Sequence, residues 1–157
     1  MSDLEVIARG AWVQAGDILL CRNRRKGNVY LPGGHIEWGE GARAALTREW
    51  REETGLAGRV GRFLGTAEHT FKHKGRRVCE INLVFALNVP RWPARKAVLA
   101  AEPKLEFFWH PLTRLKAIHL QPWALQQALP AWLRGRGTGW ASTYGRGAAD
   151  SRRLAGR

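Results

Sequence analysis

Three glutamates stand on the face of a helix that ought to be buried. The stretch Gly34 to Leu56 places a glycine-rich turn before a helical segment carrying Glu49, Glu52 and Glu53. At about 100° per residue, these three lie within about 100° of one another, in line with Ala42, Ala45 and Leu46. Arg43, Ala44, Thr47 and Arg51 fall on the opposite, solvated side. Two like charges about 4 Å apart repel by roughly 4 kcal/mol at an effective dielectric of about 20. Desolvation adds a further penalty for each unpaired ion. The fold must therefore let the carboxylates share protons, or hold a cation among them. Oxygen ligands without Cys or His suit a hard ion, Mg²⁺ or Mn²⁺. The remaining alternative is an ordinary acidic face paired with Arg48 and Arg51.

The same stretch spells a pattern. It runs Gly34, five residues, Glu40, seven residues, Arg48-Glu49, Trp50, Arg51, Glu52-Glu53, Thr54, Gly55, Leu56, and covers 23 of 157 residues. This resembles the signature of the Nudix hydrolase superfamily, with Trp50 a mild departure at a position that prefers an aliphatic residue. Val29-Tyr30-Leu31-Pro32-Gly33-Gly34 resembles the strand and turn that lead into the box. The resemblance implies an α/β fold, a Nudix-like α/β/α sandwich with a central mixed sheet. It also implies metal-dependent hydrolysis, in which water attacks phosphorus and breaks a pyrophosphate bond in a nucleoside diphosphate linked to another moiety. Metal bridging the phosphate oxygens would neutralise charge and acidify the water. By position, Glu49, Glu52 and Glu53 match the family's metal ligands. Arg48 matches the arginine that orients one of them, and Glu40 the first glutamate of the box. Gly33 and Gly34 allow a turn that aims a carbonyl at the metal, and Gly55 fits the residue that closes the helix. Many family members add a carboxylate from a distant loop, as base or ligand. Here Glu102, before the strand Leu105–Trp109, is the first choice, followed by Glu106 and Glu80.

The chain carries a formal net charge of +13. That balance raises encounter rates with polyphosphates. Arg22, Arg24, Arg25 and Lys26, just ahead of the box, are candidates for phosphate contacts, and Lys72, Lys74, Arg76 and Arg77 form a second cluster. Trp12, Trp38 or Trp92 is a candidate for stacking on a base. None of the five histidines shows a ligand spacing. A small nucleotide is the expected substrate. The alternatives are the 5′ end of RNA, tracked by basic segments, and a non-catalytic nucleotide-binding regulator. A homodimer is compatible with the sequence, and no membrane partner is expected.

At this length one domain is expected. Cys21 and Cys79 have neither zinc-ligand spacing nor a disulfide framework. No apolar run approaches the roughly 20 residues that span a bilayer, so a cytoplasmic protein is expected. Glu5–Val13 and Asp17–Cys21 read as strands about the turn Ala15-Gly16-Asp17. Arg59–Thr70 and Arg77–Val89 read as a hairpin turning at His73-Lys74-Gly75. Along its second arm Ile81, Leu83, Phe85 and Leu87 alternate. Pro122–Leu133 reads as a helix opened by proline and shortened by Pro130. The hydrolase domain is expected to span 1–133. Residues 134–157, with six arginines and one aspartate, form a basic Gly/Arg-rich tail expected to be mobile, with Trp140 and Tyr144 able to dock.

Overall fold

The alternation on the second hairpin arm lays down the centre of the molecule. In the computed structural model, which describes residues 3–137 and 139–144, that arm is strand β7 (Arg76–Asn88). It pairs antiparallel with β6 (Arg59–His73) and parallel with β1 (Asp3–Ala11). Lys74 and Gly75 turn the hairpin with φ of 48° and 78°, the left-handed pair that a tight two-residue connection needs. The outer edge of β1 carries β5 (Gly33–His35), so the mixed sheet runs β5-β1-β7-β6 and ends on β9 (Trp140–Ser142). A second, antiparallel sheet is built on β3 (Asp17–Asn23). One edge of β3 takes β2 (Val13–Gln14) and β4 (Val29–Tyr30), and the other takes β8 (Leu105–Pro111).

Each face of the mixed sheet packs against a helix. Ala45, Leu46 and Trp50 of α1 (Ala42–Thr54) are fully buried, two of them against Ala8 and Phe85. Gly55 closes α1 in the left-handed region, its N–H bonded to Arg51 O. On the opposite side Leu125, Leu129 and Trp132 of α2 (Leu125–Leu133) join Ala67, Val84 and Leu31.

The sequence expectations differ here in three ways. The last helix begins at Leu125 rather than at Pro122, and it continues through Pro130. An interior proline costs about 3 kcal/mol, but three buried apolar side chains return about 1.5–3 kcal/mol each. The first strand breaks at Trp12, whose ring is buried between Trp50, Trp92 and Trp109. After α2 the chain returns to the sheet, where Trp140–Ser142 pairs parallel with Thr66–Glu68. Residues 145–157, which include four of the six arginines counted from 134, lie outside the described residues.

Trp50 fits because the chain leaves room beside it. Its ring meets Trp12 and Phe107 edge-on, with centroids 5.8 and 6.0 Å away. A Cβ on Gly58 would stand 2.7 Å from Trp50 Cδ1. Gly58→Ala is therefore expected to destabilise the protein by about 1–3 kcal/mol in urea unfolding. With Trp50→Leu already present, the same change should lose about 1 kcal/mol or more of that cost. Strictly additive costs would show that the two residues do not depend on each other.

Candidate active site

Helix α1 runs beside β5, and the contact between them is unusually close. A Cβ on Gly34 would lie 2.3 Å from the Glu49 carboxyl carbon, and one on Gly33 would lie 2.1 Å from Ala8 O. Only glycine leaves the first of these places to a carboxylate. Gly33, with φ of 130°, also holds a backbone conformation that other residues avoid. Its N–H points at Glu53 Oε2, 3.4 Å away. Glu49 and Glu53 thus reach past the strand end into a cavity of about 270 Å³, which Glu102 also lines. A backbone bond holds the Glu102 loop there: Ala101 N–H donates to Glu53 O at 2.7 Å. Lys104 Nζ pairs with Glu102 Oε2 at 2.8 Å.

Burial dominates the chemistry of Glu53, which is 6% exposed. Desolvation pushes its carboxyl up from 4.5 to about 8; Arg9 and the Gly33 N–H pull it down, while Glu49 and Glu102 push it further up. Glu52 differs from expectation. Its side chain is 54% exposed and leans on Arg48 at 3.3 Å, because it occupies the solvent edge of the stripe while Glu53 takes the centre. Arg48 gathers the acidic groups. It binds both oxygens of Glu40 at 2.9 Å, Glu49 at 2.9 Å and the carbonyl of His35 at 3.1 Å. Its bond from Arg48 holds the Glu40 carboxyl below its usual range.

The three carboxylates expected outside the box separate in space. Glu102 lines the cavity, Glu106 pairs with Arg22, and Glu80 accepts from Asn82 Nδ2. The basic loop stands apart from the cavity wall. Arg22 lies 4.5 Å over the Phe108 ring, Arg24 donates to Leu105 O, and Arg25 and Lys26 are exposed. Their neighbour Asn23 does line the cavity. Of the candidate stacking residues, Trp12 is buried, Trp92 packs on Trp12, and Trp38 is fully exposed.

Two cationic cavity residues escaped the sequence reading. Arg9 interrupts the apolar run of β1 after Val6, and Lys104 follows Pro103 in the loop. The signal for Arg9 was its solitary charge between Ala8 and Gly10. Cys21 lies behind the site, where burial, with the Glu53 charge next, pushes its thiol up to about 12; it is no thiolate ligand.

The donors fit a hard divalent cation in kind, since every side chain offered is an oxygen carboxylate. Among the described residues, no three acidic, imidazole or thiol groups yet close around one point. Arg48 holds Glu49 and Glu52, and the Gly33 N–H holds Glu53. Gly33 O, the carbonyl expected to face an ion, accepts from Arg9 Nη1 at 3.1 Å. No helix among the described residues is long and apolar enough to cross a membrane.

Comparison with known proteins fits this geometry. The family model for the NUDIX domain matches residues 5–132. Over 62 residues the chain is 45% identical to mutator protein MutT4 of Mycobacterium tuberculosis, covering 38% of this chain and 25% of that one. Over 75 residues it is 39% identical to an ADP-ribose pyrophosphatase of Methanocaldococcus jannaschii, covering 46% of this chain and 43% of that one. The chain thus spans less than half the length of these curated relatives. The crystal structure of a MutT protein from Methanosarcina mazei superposes with a TM-score of 0.65 at 21% identity, over 85% of this chain and 96% of that one; at that identity the likeness speaks for the fold. With the domain model spanning both the box and the sheets that carry it, the chain belongs to the Nudix hydrolase family.

Proposed function

We propose that the chain hydrolyses a pyrophosphate bond in a nucleoside diphosphate joined to a further moiety, such as a nucleoside triphosphate or a nucleotide sugar. The observation that supports it is the meeting of Glu49, Glu53 and Glu102 on one cavity, against a backbone that admits no side chain. Nudix hydrolases generally use a divalent metal, and Mg²⁺, replaceable by Mn²⁺, is the ion proposed here. When bound, the ion neutralises phosphate charge and acidifies the attacking water.

Glu49, Glu52 and Glu53 are the proposed side-chain ligands, with the Gly33–Gly34 backbone beside them. Glu53, whose carboxyl burial pushes up, would bind an ion as the carboxylate, with Glu49 and Glu52 completing the set. Arg48, fixed by both oxygens of Glu40, would keep these carboxylates in register. Glu102, on the facing loop, takes the proton of the water, and Lys104 holds it in place. Arg25 and Lys26, exposed just beyond Asn23, attract the polyanion toward the mouth.

A panel of nucleotides with Mg²⁺ or Mn²⁺, its products identified by mass, tests the reaction. Each turned-over substrate should yield two phosphorylated fragments, and chelation should abolish turnover. Glu53→Gln should lower kcat by about 100-fold or more while leaving the fold intact. Full turnover by that variant would remove Glu53 from the site.

Stability gives an independent reading of the same carboxyl. Its value is raised on folding, from 4.5 to about 8, so the folded state holds the proton longer than the unfolded one. In chelator, the contribution of Glu53 to stability should be fully present below pH 4.5, decline as pH rises toward about 8, and be gone above. Urea unfolding across this range should show the decline in the wild type and a flatter profile in Glu53→Gln. Equal slopes in the two proteins would mean that Glu53 does not carry the shift.

A further inference from the structure

Arg9 sits in the cavity wall, close enough to Glu53 to bias its carboxyl but hydrogen-bonded to none of the carboxylates. It projects from β1 beside β5, among Glu49, Glu53 and Glu102. A guanidinium among carboxylates would be expected to pair with one of them. Instead its partners are neutral. Nη1 donates to Leu31 O and Gly33 O at 3.1 Å each, and Nε donates to Asn82 Oδ1 at 3.2 Å. The Tyr30 ring lies against its plane, 4.9 Å from Cζ. Among the described residues no carboxylate forms an ion pair with it, and Nη2 has no acceptor.

The bracing is itself braced. Asn82 is fully buried, and its Nδ2 donates to Ala67 O at 3.3 Å and Glu80 Oε2 at 3.2 Å. That fixes the amide so that Oδ1 faces Arg9. The guanidinium is therefore held on three sides by groups that orient it without neutralising it. Three other basic residues near the site have partners of their own. Lys104 pairs with Glu102, Arg22 pairs with Glu106, and Arg24 binds the Leu105 carbonyl.

We infer that Arg9 is a substrate-binding residue, whose Nη2 donates to a non-bridging oxygen of the substrate's diphosphate, and that Asn82 is its positioning residue. This rests on the reaction proposed above for the carboxylates it faces. A planar guanidinium held edge-on suits a phosphate oxygen better than a mobile ammonium does. The preset orientation means that little freedom is lost on binding. The contact also supplies attraction within a cavity whose own carboxylates repel a polyanion.

The test uses methylenediphosphonate, a diphosphate mimic with no nucleoside and no cleavable bridge. Calorimetric titration of the full chain at saturating Mg²⁺ measures its affinity, and a parallel titration measures Mg²⁺ alone. Arg9→Gln should weaken the diphosphonate by about tenfold or more and leave Mg²⁺ affinity within about twofold. Asn82→Ala should weaken the diphosphonate by a smaller factor, also at unchanged Mg²⁺ affinity. Unchanged diphosphonate binding in Arg9→Gln, or a Mg²⁺ affinity that falls in step, overturns the inference and makes Arg9 a bracket for the Gly33 turn. If the glutamine variant does not fold, Arg9→Lys decides in the same titration: a loss of about threefold or more supports the contact, and wild-type affinity overturns it. A wild-type protein that binds the diphosphonate through Arg9 yet hydrolyses no nucleotide would refute the proposed reaction and leave this contact standing.

Discussion

The site depends on a place where two backbones come too close for a side chain. Gly34 gives its Cβ volume to the Glu49 carboxylate, and Gly33 presses on the carbonyl of Ala8. This contact lets α1 carry acidic groups along its buried stripe and still pack Ala45, Leu46 and Trp50 into the core. The neighbouring arrangements follow from it. Arg48 bridges Glu40, Glu49 and Glu52 across the helix and the loop before it. Glu53, deeper, meets the Gly33 N–H, and its own carbonyl ties down the loop that presents Glu102. Charge repulsion at the centre is thus offset by Arg48 at the rim and Arg9 from the side, and burial pushes the Glu53 carboxyl up.

Opposite signs of charge occupy different parts of the molecule. The chain carries +13 overall, yet its cavity is walled by three carboxylates. A basic surface speeds the approach of a polyanion, but the acidic cavity admits it only with compensating cations. Family membership and this acidic wall both support the metal-assisted hydrolysis proposed for the chain.

Much of this was legible in the chain, for reasons that differ by residue. Glu49, Glu52 and Glu53 sit at helical spacing, so local periodicity gave the acidic stripe, while Gly55 was marked by its place in the motif and by glycine's freedom to end a helix. The alternation of Ile81, Leu83, Phe85 and Leu87 likewise gave the central strand. The exposure of Glu52 was not legible, since a stripe about 100° wide has an edge and only the packed sheet decides where it falls. Arg9 and Asn82 were missed because each stands alone between apolar or small neighbours, Ala8 and Gly10 or Ile81 and Leu83, and their partnership spans 73 positions. Strand β9 was hidden in a Gly/Arg-rich segment that reads as tail; its pairing with β6 comes from the return of the chain after α2. Trp50, odd for its position, is explained by Gly58, a residue outside the motif.

On the proposed reading, the missing side chain at position 34 sets the carboxylates for an ion. Manganese binding followed by electron paramagnetic resonance tests it directly in Gly34→Ala. The added methyl must displace the Glu49 carboxylate, so Mn²⁺ affinity should fall by about tenfold or more while circular dichroism shows the fold retained. A Gly34→Ala protein that binds Mn²⁺ as the wild type does would contradict the account.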